Sequence, residues 1–180
     1  MKKLTSVQNI SNPYARRILS NVLHKDSLRV FGATPKTLHR LTKGLNDREM
    51  RTTTPERKWS IAAIVNHLCD TEIAMGYRYR KALAESGTIF QAYDEKKWAT
   101  HLSYEHADVR AKLNLFVALR NDHARLFRTL SAKEWQRYGI HEERGKETVE
   151  RMVHMMAGHD VNHLAQIGTL RGAILKRRKK

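Results

Sequence analysis

One stretch decides the fold of this chain: Glu150–Lys176, with the sequence ERMVHMMAGHDVNHLAQIGTLRGAILK. Its apolar residues recur at the helical period and predict a long helix with one face against a core. With Val149 just before it, that face contains Met152, Val153, Met156, Ile167, Leu170 and Ile174. His159 and His163 are four residues apart, so they lie one above the other on the same core-facing side.

Two imidazoles on a core-facing side need polar partners, because buried polar groups without hydrogen bonds or a metal are costly. A divalent metal is a common partner for such a pair. A His-x3-His spacing also occurs in hydrogen-bonded structural pairs. The spacing of His159 and His163 therefore leaves both a metal site and a structural pair open.

Composition places the chain among single-domain globular proteins. It has 180 residues, 41% of them hydrophobic, and a formal net charge of +16. A single cysteine, Cys69, excludes an intramolecular disulfide framework and predicts a reducing, cytoplasmic location. No apolar run approaches the length of a membrane span, and Leu4–Asn12 alternates polar and apolar residues, so we expect neither a membrane anchor nor a signal peptide.

Helix start signals divide the rest of the chain. They stand at Asn12-Pro13, Asp26-Ser27, Thr34-Pro35, Trp59-Ser60 and Thr148, with Ser60 and Thr148 as capping residues. A further long helix is predicted over about Tyr104–Leu130. We expect connections, and no strand, over Asp47–Lys58, Gly87–Ser103 and Ser131–Lys146.

Four main helices and a long link between the second and third predict an all-α protein, a four-helix bundle with a crossover. The expected divisions are an N-terminal helical extension over residues 1–33, the bundle over residues 34–176 and a basic tail over residues 177–180.

A third histidine is available to the pair on the last helix. His67 lies near the start of the second long helix, and metal sites in bundles are built from facing helices. Three imidazoles would leave at least one coordination position open for water or substrate, as a catalytic site requires. Imidazole ligands suit zinc, nickel, iron or copper.

Three segments together resemble the DinB superfamily. They are Trp59–Asp70 with His67, His159–Ile167 with the histidine pair, and Tyr93–Ala99, which is similar to the YfiT-like branch of metal-dependent hydrolases. The resemblance implies a bundle of up-down-down-up topology and a divalent metal, zinc or nickel, on His67, His159 and His163. Relatives in this superfamily also include metal-dependent thiol transferases. The +16 charge and the N-terminal lead of about thirty residues depart from the family pattern.

Other polar residues receive less specific interpretations. His141 could reach the open end of the site as a fourth ligand or an acid–base group, although a solvated loop histidine is favoured. His154 and Asp70 are expected at the surface, and Cys69 in the core. Asp160 could orient a ligand imidazole or form a structural ion pair with Arg120, which is also predicted to point inward. Met152, Met155 and Met156 are expected to serve bundle packing rather than metal binding.

Two hypotheses of function follow. The first is a metal-dependent enzyme, either a hydrolase or a thiol transferase, that acts on a small molecule such as an anionic thiol. No catalytic base is identifiable. The alternative is a non-catalytic basic helical protein that binds nucleic acid or another polyanion. No reading helix with base-contacting residues stands out, so nucleic acid is not favoured. A homodimer through the N-terminal helix is also expected.

Overall fold

The computed structural model describes residues 1–54 and 59–178. Its helices are α1 (Pro13–Ser20), α2 (Ser27–Thr42), α3 (Asp47–Met50), α4 (Ile61–Ala84), α5 (Glu95–His101), α6 (Val109–Arg128), α7 (Ala132–Trp135) and α8 (Val149–Arg177). Its strands are β1 (Thr88–Phe90), β2 (Tyr138–His141) and β3 (Gly145–Thr148). No described helix is both long enough and apolar enough to cross a membrane.

The four long helices α2, α4, α6 and α8 form the predicted four-helix bundle. Each packs against two of the others in the ring α2–α8–α4–α6. Helix α8 runs parallel to α2, since Ser27 bonds His154 whereas Leu41 bonds Arg171. Helices α4 and α6 are also parallel, since Asp70 pairs with Lys112 and Arg80 with Asp122. Helix α4 is antiparallel to α8, because its first half packs with Ile167 and Leu170 and its second half with Val149 and Met152. The topology is therefore up-down-down-up, and the crossover from α4 to α6 contains β1 and α5.

Most predicted helix starts are confirmed by their caps. The side chains of Asn12, Asp26, Ser60 and Thr148 each accept a hydrogen bond from a backbone N–H in the first turn of α1, α2, α4 and α8, respectively. Helix α6 begins later than predicted, after the capping residue Asp108.

The start predicted at Thr34-Pro35 is wrong, because α2 continues through Pro35. Proline has no N–H, so the carbonyl of Phe31 loses its usual helical donor. Arg120 on α6 supplies the missing donor, with Nη1 at 3.0 Å from the Phe31 oxygen. The boundary predicted between residues 33 and 34 consequently lies inside a helix.

The expectation of no strand is also wrong. β1 pairs in parallel with β2, and β2 pairs antiparallel with β3, to form a small three-stranded sheet. The long links between helices supply these strands, together with α5 and α7. The linker predicted over Asp47–Lys58 contains the short helix α3, whereas its residues 55–58, like residues 179–180 of the basic tail, lie outside the described part of the chain.

The N-terminal helix α1 packs directly on α8. The contact is close at Gly158, where a Cβ atom would lie 2.2 Å from the carbonyl oxygen of Ile18. Helix α8 is therefore covered by α1, α2 and α4, and its residues 152–160 are all buried.

Candidate metal centre

The three histidines singled out by the sequence meet inside the bundle. His67 comes from the second turn of α4, and His159 and His163 come from the middle of α8. The Nε2 atom of His159 lies 2.9 Å from that of His67 and 3.1 Å from that of His163. One ring nitrogen from each histidine falls within 4.8 Å of the other two. The structure thus brings together all three residues of the predicted site.

The environment keeps the three imidazoles neutral. Burial lowers the pKa of His67 to about 3 and that of His163 to about 4. Burial, reinforced by the other two histidines, also holds the pKa of His159 well below its usual value. Neutral imidazole is the form that binds a metal ion, so the cluster is in its ligand form at neutral pH.

Hydrogen bonds within the cluster cannot satisfy all three facing nitrogens. Nδ1 of His163 lies 3.0 Å from Oε1 of Gln166, an acceptor, so Nδ1 carries the proton and Nε2 keeps a lone pair. A proton on Nε2 of His159 could be donated to His67 or to His163 but not fully to both. A cation between the rings accepts all three lone pairs, so the donor set fits a divalent metal.

A cavity of about 580 Å³ opens beside the cluster, and His67 and His159 form part of its wall. Side chains of α4 line one side at helical spacing: His67, Thr71, Met75 and Arg78. Side chains of α8 line the facing side: Met152, Met155, Met156 and His159. The rest of the wall comes from the start of α1, from the crossover segment that contains Tyr93, and from β2, β3 and the turn between them. The methionines predicted to pack the bundle therefore also face the cavity.

The prediction of a solvated His141 is wrong. This side chain is buried at the end of β2 and lines the cavity. Its Nδ1 accepts a hydrogen bond from the backbone N–H of Glu143 at 3.1 Å, which leaves the proton on Nε2. Burial lowers the pKa of His141, so the side chain is a neutral hydrogen-bond donor at neutral pH.

A buried ion network lies next to the histidines and confirms the predicted pairing of Asp160 with Arg120. Arg120 donates from Nη1 to Asp160 at 2.5 Å and from Nη2 to Glu72 at 2.7 Å, and all three side chains are fully buried. Glu72 also lies 2.6 Å from Nδ1 of His123, and Thr34 donates to Asp160 at 2.8 Å. The network joins α2, α4, α6 and α8 at one level of the bundle.

Two surface predictions fail because neighbouring elements cover the residues. His154 is buried under α2, with Nδ1 2.8 Å from Oγ of Ser27. Asp70 is buried and pairs with Lys112 of α6 at 3.1 Å. Cys69 is buried as predicted, and burial raises the pKa of its thiol to about 11.

Sequence reasoning missed two polar groups of the cavity. Arg78 is 5% exposed, and Tyr93 is hydrogen-bonded through its hydroxyl to Thr71 at 3.2 Å. A signal for Arg78 exists in the sequence. It follows His67 by eleven residues, which at about 100° per residue returns to nearly the same helix face.

A family model described as the DinB superfamily matches residues 31–167. A protein of Halalkalibacterium halodurans named "Putative metal-dependent hydrolase BH0277" is 29% identical over 151 residues, which cover 82% of this chain and 88% of the relative. "Putative metal-dependent hydrolase YfiT" of Bacillus subtilis is 28% identical over 173 residues, which cover 93% of this chain and 96% of the relative.

A solved structure shares the fold. It is described by the words "YfiT from Bacillus subtilis is a probable metal-dependent hydrolase with an unusual four-helix bundle topology". It matches with a TM-score of 0.75 and 25% sequence identity, and the match covers 80% of this chain and 83% of YfiT. The fold, the family model and the relatives therefore all indicate the same family.

Proposed function

The chain belongs to the DinB superfamily, and we propose that it is a metal-dependent hydrolase of a small-molecule substrate. Its ligands would be Nε2 of His67, His159 and His163, and its metal zinc or nickel, which imidazole donors suit. The observation that carries the proposal is the convergence of three buried, neutral imidazoles whose facing nitrogens lie within 4.8 Å of one another. The names of the relatives agree with it.

The position of the cluster supports a catalytic rather than a purely structural centre. Two of its histidines form part of the cavity wall, so a bound ion would be reachable from the cavity. A divalent ion with an open coordination position lowers the pKa of water towards neutrality and polarises a carbonyl group. Structural sites, by contrast, are usually closed by four protein ligands.

The chain's own residues would orient the substrate and exclude water. Gln166 fixes His163 in the tautomer that presents Nε2 to the metal. His141 offers an Nε2–H donor in the cavity wall, suited to an oxygen that gains negative charge. The wall of four methionines, Met75, Met152, Met155 and Met156, makes one part of the cavity apolar.

Thiol transfer is the second candidate reaction, and the protonation state of His141 supports it. A hydrolase profits from a general base, yet Nδ1 of His141 is already an acceptor and its Nε2 carries the proton. Glu147, the buried carboxylate of the cavity, is held by Arg144 at 2.8 Å. Thiol transfer depends less on a protein base, because a metal ion itself favours the thiolate.

Metal analysis of the purified protein tests the proposed ligands. The wild-type chain should bind one zinc or nickel ion, and His159→Gln should lose it. His154→Gln is the matched control, since His154 is a buried histidine of the same helix outside the cluster. Equal metal content in both variants would refute the assignment of His159.

Activity of the cobalt-substituted protein separates the two reactions. Metal-dependent release of nitrophenol from p-nitrophenyl esters supports hydrolysis. A thiolate-to-cobalt charge-transfer band on addition of a thiol, without ester turnover, supports thiol transfer instead. Neither signal in the metal-loaded protein would contradict both reactions.

Polyanion binding through the net charge of +16 stays the alternative function. It predicts affinity for nucleic acid that falls steeply as salt is raised and shows no sequence preference. A homodimer and a cytoplasmic location also stay predictions, which size-exclusion chromatography with light scattering and cell fractionation would test.

A further inference from the structure

Arg78 is a buried cation in the wall of the cavity beside the histidine cluster. Its Nη2 donates to the backbone oxygen of Gln91 at 2.7 Å, and its Nη1 lies 3.8 Å from the sulfur of Met75. The guanidinium carbon lies 5.9 Å from the ring centroid of Phe90 and 5.8 Å from that of Tyr93. These contacts hold the side chain in place but do not neutralise its charge.

Within residues 1–54 and 59–178, no carboxylate forms an ion pair with Arg78 at 4.0 Å or less. The nearby buried carboxylate of Glu147 is engaged by Arg144 through two hydrogen bonds, at 2.8 and 3.0 Å. Burial and, less strongly, the charge of Arg144 lower the pKa of Arg78, and the nearby Glu147 and Tyr93 offset this only in part. A buried charge without a partner is costly and is often retained for binding a ligand.

We propose that Arg78 binds a carboxylate of the substrate, so that the substrate is an elongated acid with its reactive group at the histidine cluster. The inference rests on the proposed function for the reactive end only. A guanidinium presents several N–H donors in one plane and matches a carboxylate with two parallel hydrogen bonds. The structure uses one strong donor of Arg78, towards Gln91, which leaves others for the ligand.

The separation of Arg78 from His67 determines the length of such a substrate. Eleven residues of α4 correspond to a rise of about 16 Å between the two Cα atoms. The long side chain of Arg78 extends back towards the cluster, since its Nη1 lies 3.8 Å from the sulfur of Met75, one turn earlier on α4. The facing side chains of α8 run from Met152, which packs in one cluster with Met75, to His159, which lies beside His67. The apolar middle of the cavity would therefore contact the aliphatic part of the substrate.

A single carboxylate fits this end of the cavity better than a phosphate group. Phosphate sites gather several donors, often backbone N–H groups at a helix N-terminus as well as cations. Arg78 lies inside α4, eighteen residues into the chain segment that begins at Ile61, so its surrounding backbone N–H groups are engaged in the helix. Arg78 is a buried cation whose charge no carboxylate within 4.0 Å balances among the described residues, so it matches one negative charge.

Two isosteric ligands test the inference. Suberic acid monohydroxamate carries a metal-binding hydroxamate at one end and a carboxylate at the other, and its terminal amide differs only in charge. With the zinc-loaded wild-type protein, isothermal titration should show the acid binding about tenfold to a hundredfold more tightly than the amide, as expected for a charged hydrogen bond. In Arg78→Gln the difference should disappear, with the affinity for the amide unchanged.

Equal affinities of acid and amide for the wild-type protein would overturn the inference, and this comparison needs no variant. A preference for the acid that persists in Arg78→Gln would overturn the assignment to this residue. The pair octanoate and octanamide, measured on protein treated with EDTA, separates the two proposals. If the chain binds no metal, the hydroxamates fail to bind, whereas octanoate should still bind more tightly than octanamide through Arg78.

Discussion

Replacing Arg120 with methionine should destabilise the protein by about 3–5 kcal/mol, the cost of leaving buried charges without their partner. Arg120 contributes hydrogen bonds to Glu72, to Asp160 and to the backbone oxygen of Phe31, a carbonyl that Pro35 leaves without a helical donor. Neither carboxylate is exposed to solvent. Methionine fills much of the same volume, so the loss is mainly electrostatic.

The same substitution should make stability depend on pH in a predictable direction. In the wild type, Arg120 helps to hold the pKa of Glu72 below its usual value and partly offsets the burial that raises the pKa of Asp160. Removing the guanidinium should therefore raise the pKa of both carboxyls in the folded state. The folded variant then binds protons more readily than its unfolded chain. Lowering the pH from neutral towards 5 should therefore reduce the difference in free energy of unfolding between the variant and the wild type.

Urea unfolding followed by circular dichroism measures these effects. Adding Glu72→Gln and Asp160→Asn to Arg120→Met should recover part of the lost stability, because no buried charge is then left unpaired. Arg125→Met is the control on the same helix: this exposed side chain lies 3.6 Å from Asp122, and we expect a change within about 0.5 kcal/mol. A cost below about 1 kcal/mol for Arg120→Met, or no recovery in the triple variant, would refute the reasoning.

Three further predictions concern helix α8 and the metal. Gly158→Ala should cost about 1–3 kcal/mol, because its Cβ would meet the Ile18 oxygen, whereas Gly168→Ala, with no atom within 4 Å, should be neutral or stabilising; equal effects in urea unfolding would contradict the close contact. Burial lowers the pKa of His154, so below about pH 6.5 the unfolded chain binds a proton at this residue more readily than the folded chain does. As the pH falls, the wild type should therefore lose up to about 1.4 kcal/mol of unfolding free energy per pH unit more than His154→Gln. Identical slopes of unfolding free energy against pH in the two proteins would refute this. Removal of the metal with EDTA should lower the free energy of unfolding by about 4 kcal/mol at a thousandfold excess of ion over Kd, reversibly on readdition, and an unchanged melting temperature would argue against a bound ion.

The four-helix bundle and the histidine site can be predicted from the sequence because both depend on local periodicity. Spacing of four residues puts His159 and His163 on one face whatever surrounds the helix. Capping side chains such as Ser60 and Thr148 act within one turn, so their positions identified the helix starts correctly.

Errors arose where distant segments decide the environment of a residue. His154 lies off the main apolar stripe, yet α1 and α2 cover that side of α8, so it is buried. Pro35 is a normal helix-start signal, and only Arg120, eighty-five positions further along the chain, makes it acceptable inside α2. No local pattern contains that information.

The sheet was missed for a related reason. Its strands have three or four residues, too few for alternation to be recognised. In addition, β1 follows α4 but pairs with β2, which comes only after α5, α6 and α7. The sheet matters for the site because β2 carries His141 into the cavity wall. For the same reason, the cavity itself was not predictable from single helices.

X-ray absorption spectroscopy of the metal-loaded protein tests the central claim most directly. Coordination by His67, His159 and His163 predicts a shell of three imidazole nitrogens at about 2.0–2.1 Å for zinc, with any remaining ligand a light atom of solvent. His159→Gln should abolish that spectrum. A shell with sulfur, or with fewer than three imidazoles, would contradict the proposed centre.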